Sequence, residues 1–156
     1  MRIKPLACLL AIVSVFAQQE SVQSLLTRGF ELSSQGKGRA AIPLFQQALE
    51  RASVDGNTAG QAAALRGIGA VHNAMANYTL ARESLNRSID LCAGQTTDPV
   101  CLPHAQNSLA YTEWASGNRA EAARLYQEAL HGFESAGAVD QLPLVLYNIA
   151  FLSDPD

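Results

Sequence analysis

The sequence predicts an all-α fold, a solenoid of three antiparallel helix hairpins plus one extra helix, and three observations carry that prediction. One pattern is written three times, as GFELSSQGKGRAAIPLFQQALERA, GAVHNAMANYTLARESLNRSIDL and AYTEWASGNRAEAARLYQEALHGF; with Ala41, Ala81 and Ala122 in register the spacing is 40 and then 41 residues. Alanine and leucine dominate a composition that is 48% hydrophobic but only 6% aromatic, so the core is built by close helix packing around small residues. Within each copy a turn containing Gly or Asn falls at one phase, between two stretches of helical periodicity. Units of this period cannot bury their own apolar face and become stable by stacking on a neighbour, which yields an extended surface suited to binding.

The first residues stand apart from the array. Arg2 and Lys4 make a short basic start, Leu6 to Phe16 is apolar but too short to span a bilayer, and Val15-Phe16-Ala17 supplies small residues before Gln18. Residues 1–17 therefore read as a cleavable secretory signal. Pro5-Leu6-Ala7 before Cys8 is a poor lipobox, which argues against lipid attachment, and an amphipathic first helix is disfavoured because the run has no polar face.

Residues 18–156 form the array, with repeats at about 22–55, 62–95 and 103–136 and a partial one at 142–153. In the first, SVQSLLTRGFELSSQ runs to Gly36 and a second helix starts after Gly38; Pro43 falls within its first turns and predicts a slightly late start. Ala76-Asn77 makes the second turn and Gly117-Asn118 the third, with Asn taking the left-handed geometry. Ala41, Leu44, Phe45, Ala48 and Leu49 form one apolar stripe, and Leu80, Ala81, Leu85 and Ile89, then Ala122, Leu125, Tyr126, Ala129 and Leu130, form its counterparts. The last helix, from about Leu142 to Leu152, has the pattern of a first helix, with Leu146, Ile149 and Ala150 in phase with Gln106, Leu109 and Ala110.

Charge and cysteines narrow the setting. Loss of Arg2 and Lys4 with the signal lowers the formal charge of −3 by two, and no concentrated basic face is visible, so nucleic acid and anionic membrane are disfavoured as partners. Cys92 and Cys101 are close in sequence, and in an exported chain two such thiols form a disulfide, worth about 2 to 3 kcal/mol on the chain-entropy model. Two other readings stay open: free cysteines, or a metal site with His104 as third ligand at irregular spacing.

The repeated spacing resembles that of tetratricopeptide repeats, whose pattern is a Gly or Ala in the first helix and Ala-x3-aromatic-x2-Ala in the second. Ala41, Phe45 and Ala48; Ala81, Leu85 and Ser88; and Ala122, Tyr126 and Ala129 carry the resemblance, with Gly29, Gly69 and Ala110 at the small crossing position, over residues 22–153. Leu25, Leu65 and Gln106 stand where the family has a large aromatic, and Ser88 where it has alanine, so the array is degenerate. The period is similar to the long type of kinesin light chains and of bacterial arrays preceding CHAT domains.

The resemblance implies a right-handed superhelical array whose first helices line a concave groove. By phase, the groove would carry Arg66, Asn73, His104, Asn107, Tyr111, Trp114, Tyr147 and Asn148, alongside Phe30, Ser33, Ala70 and Phe151. Amides that donate and accept at once suit an extended peptide backbone, and aromatic rings supply the flat apolar area of binding hot spots. Against that, aromatics at helical spacing also pack between repeats, above all Trp114 and Phe151. Arg66 is the sole cation at a groove position, so a two-cation clamp for a carboxylate terminus is not expected.

No grouping of acid, base and nucleophile emerges: His72, His104 and His131 occupy different phases, and no Gly-rich phosphate loop is present. The expectation is a non-enzymatic, exported protein, periplasmic or secreted and of bacterial source, without cofactor or metal. Its partner would be a protein or peptide, held as an extended segment or a helix. The alternative is a self-assembling scaffold, a homo-oligomer formed through residues 142–153, or a remnant of a longer array.

Overall fold

The computed structural model describes residues 20–153; the proposed signal at 1–17, with Cys8, lies outside the described residues. Seven helices follow one another among them: α1 (Val22–Ser34), α2 (Gly38–Val54), α3 (Thr58–Ala74), α4 (Tyr78–Gln95), α5 (Cys101–Ala115), α6 (Arg119–Ser135) and α7 (Leu142–Ser153). Each packs on the next, and α1, α3, α5 and α7 also touch one another in succession. No such contact joins α2 to α4 or α4 to α6. The chain is an all-α solenoid of helical hairpins whose odd-numbered helices form the tighter layer.

Every turn between helices that a left-handed residue closes uses one device. Gly36, Gly56, Ala76, Gly117 and Gly137 take positive φ, and the next residue donates its N–H back to the sixth-residue carbonyl, as Lys37 does to Leu32 at 2.9 Å, Asn77 to His72 at 2.9 Å and Asn118 to Glu113 at 2.8 Å. This corrects the expectation for the second and third turns. The asparagines have φ of −85° and −88°, and the residue before each is the left-handed one, Ala76 at 57° and Gly117 at 92°. The helix-ending bond sets that register, and each Asn then serves as N-cap position of the following helix. Pro43 also differs from expectation: α2 begins at Gly38 without delay and carries Pro43 inside it. The ring lies on the exposed face, where water takes over the carbonyl that a proline cannot serve.

The second helices insert large side chains into the gaps that small residues leave. Phe45 is fully buried between Gly29 of α1 and Gly67 of α3, where an added Cβ would stand 2.7 and 2.4 Å from its ring. Leu85 fills the same place over Gly69, at 2.6 Å from such a Cβ, and buried Tyr126 occupies the equivalent site in the third hairpin beside Ala110. Shape at these crossings is therefore specified to within a methyl group.

Cys92, near the end of α4, is bonded to Cys101 at the start of α5, with an S–S distance of 2.04 Å. Both sulfurs are engaged, which sets aside the free-thiol and the metal-ligand readings. A small cluster of Ala62, Cys92 and Ala105 includes the bridge and lies between a core built from α1 to α3 and one built from α4 to α7.

Candidate functional site

At the C-terminal end of the tighter layer, α5 presents Asn107, Tyr111 and Trp114 at successive turns of one face, and α7 answers with Tyr147, Asn148 and Phe151. Their rings form a continuous series. Tyr111 and Trp114 have centroids 5.4 Å apart, Trp114 meets Phe151 edge-to-face at 5.2 Å, and Phe151 lies nearly parallel to Tyr147 at 6.3 Å. Such contacts fix rigid side chains without using up their outer faces: Tyr111 remains 47% exposed, Phe151 50% and Tyr147 66%, while Trp114 is half-buried.

Tyr111, Trp114, Tyr147, Asn148 and Phe151, with buried Tyr126 beneath them, line a cleft of about 180 Å³, and Asn107 joins it through Asn148. Asn148 Nδ2 donates to Asn107 Oδ1 at 3.3 Å across the α5–α7 seam, coupling the two amides. Burial pushes the Tyr126 phenol well above its ordinary pKa, with Tyr111 adding to the effect, so the floor of the cleft stays neutral.

A second grouping lies where α3 meets the start of α5. Arg66 stacks its guanidinium over the Phe30 ring, 5.0 Å from the centroid, and shares a cleft of about 50 Å³ with Asp98, His104 and the disulfide. Burial lowers the Arg66 pKa, and the Asp98 charge opposes that shift. His104 is lowered to about 4, first by burial and then by the Arg66 charge, so its imidazole is neutral near pH 7. Its ring meets Phe133 edge-on at 4.9 Å.

Of the eight residues predicted for a groove, Asn107, Tyr111, Trp114, Tyr147 and Asn148 come together at the C-terminal cleft, and Arg66 and His104 in the second grouping. Asn73 joins neither. It is only 8% exposed, and its Oδ1 has no hydrogen-bond partner, which leaves little of it for a peptide to touch.

Sequence reasoning did not single out Asp98 or Glu113. Asp98 sits in an inter-repeat loop between the two bonded cysteines and shares a cleft with Arg66. Glu113, with its side chain 7% exposed, takes Arg82 Nε at 2.5 Å and Asn118 Nδ2 at 3.2 Å, tying α4 to α5 and to the turn after it. The signal of Glu113 in the sequence is no stronger than that of any surface acid. A larger cleft of about 510 Å³, between Glu20 and the end of α2, contains none of the residues predicted for the groove and no aromatic ring. Among the described residues no helix is long and apolar enough to cross a membrane.

Two family models, each described as tetratricopeptide repeat, match the sequence at residues 21–93 and 104–136, together more than half of the chain. No curated protein matches it.

Proposed function

The chain belongs to the tetratricopeptide repeat family, whose arrays act in protein–protein interaction, and from that premise we propose an exported, non-enzymatic module that binds an extended peptide or partner helix along its odd-numbered helices. The observation that carries the reading is the α5–α7 cleft, where four aromatic rings and two coupled amides converge on one partly open surface. Period supports assignment to the long kinesin-light-chain or CHAT-associated type, with repeats at about 22–55, 62–95 and 103–136. Export is supported by the apolar run from Leu6 to Phe16 and by the Cys92–Cys101 bond, which persists in oxidising surroundings.

Capture of the partner tests the reading. Replacing Tyr111 and Asn107 together by alanine abolishes capture while circular dichroism stays that of the parent; undiminished capture overturns the assignment.

A second reading, self-assembly through residues 142–153, is favoured by one observation. Leu146 and Ala150 stand at the phases of Leu25 and Gly29, which are buried under α2, yet Leu146 is 50% exposed, Leu144 56%, and Ala150 is exposed too. A second copy would cover this face. Sedimentation of the mature protein then shows a dimer that Leu146→Glu converts to monomer, whereas a monomer at all concentrations removes the reading.

A further inference from the structure

We propose that the α5–α7 cleft selects a proline-rich, uncharged segment in the polyproline II conformation. The inference rests on the groove reading above and names the chemistry of its occupant.

Charge gives the first argument. The cleft is lined by Tyr111, Trp114, Tyr126, Tyr147, Asn148 and Phe151, a set without a carboxylate, ammonium, guanidinium or imidazole. The acid on α5, Glu113, is already held by Arg82, and Arg119, which donates to the Leu152 carbonyl, is not among the residues lining the cleft. An acidic or basic peptide would lose hydration here without gaining a counter-charge, so the complementary partner is neutral.

Size gives the second. About 180 Å³ takes one or two side chains at a time, which an extended segment lying along the rings supplies in succession.

Hydrogen-bonding capacity gives the third. Asn107 Oδ1 is occupied by Asn148 Nδ2, while no described residue accepts from the Asn107 amide nitrogen. The pair keeps N–H hydrogens free to donate, and the Tyr111 and Tyr147 hydroxyls can donate as well. A proline-rich backbone offers the matching set, carbonyl acceptors with no internal hydrogen bonds and few N–H groups to satisfy. Its rigid rings lie against aromatic faces at small entropic cost, because the chain is already extended before binding.

Trp114 is the single tryptophan and stands in the cleft, so its emission reports occupancy directly. The mature protein is titrated with acetylated, amidated octaproline, with a neutral Gly-Ser peptide of equal length and with a neutral alanine-rich helical peptide. Octaproline gives a saturable change in Trp114 emission. The Gly-Ser and helical peptides give none. Tyr147→Ala, at a side chain exposed enough to spare the fold, weakens octaproline binding about tenfold, and Tyr147→Phe retains most of it.

Absence of saturation with octaproline overturns the proposal, as does an equal response to the Gly-Ser peptide. A response to the helical peptide alone overturns it as well, but leaves the groove reading standing. That broader reading fails separately, if the Tyr111 and Asn107 double variant still captures its partner.

Discussion

Ala76 holds a backbone conformation that glycine holds in the equivalent turns. Its φ is 57°, against 72° at Gly36 and 92° at Gly117, and an L-residue in this region costs about 1 to 2 kcal/mol relative to the right-handed one. Part of that cost returns when glycine replaces it, since glycine also frees the unfolded chain. Ala76→Gly is therefore expected to stabilise the protein by about 0.5 to 1 kcal/mol, read as a higher urea midpoint at unchanged slope; a lower midpoint would contradict the turn geometry. Residue-scale propensity points to Asn77 here, because Asn tolerates the left-handed region, and it misplaces the strain by one position. The register of the helix-ending bond, from Asn77 N–H to the His72 carbonyl, is a geometric fact that propensity does not contain. Phe45, by contrast, was legible: an aromatic at the centre of an alanine stripe, opposite Gly29, has to fill the crossing.

Between elements, the Cys92–Cys101 bond ties the end of α4 to the first turn of α5. Closing a loop of about ten residues removes roughly 2 to 3 kcal/mol of unfolded-state freedom. Replacing both cysteines by serine is expected to lower unfolding free energy by about that amount, with amide exchange accelerating first in residues 92–104; unchanged stability would show that packing of Ala62 and Ala105 alone fixes the connection. The bridge also explains why the Arg66, Asp98 and His104 grouping was only half legible. Arg66 and His104 follow from the phase of the first helices, but Asp98 arrives through a loop path that no periodicity encodes. Helices themselves were readable because each second helix carries an unbroken apolar stripe that only a 3.6-residue period aligns.

For the whole molecule, the decisive relation is that α1, α3, α5 and α7 touch in succession while α2, α4 and α6 do not. A two-layer stack built this way curves towards its tighter layer, which gives the odd-numbered helices the inner face. The period of 40 and 41 residues announced the stack, and the family pattern implied which helix of each pair would face inwards. What the sequence could not supply is the depth of individual groove positions. Asn73 and Asn107 both occupy expected inner phases, yet Asn73 is buried and Asn107 reaches Asn148 across the seam to α7.

The central claim, that binding belongs to the inner aromatic face, is tested most directly by comparing capture by two double variants of the full chain. One is Tyr111→Ala with Asn107→Ala on α5; the other is Glu83→Ala with Arg87→Ala on the exposed side of α4. The account predicts that partner capture is lost in the first and kept in the second, at equal helicity. Capture retained by the first variant and lost by the second would contradict it.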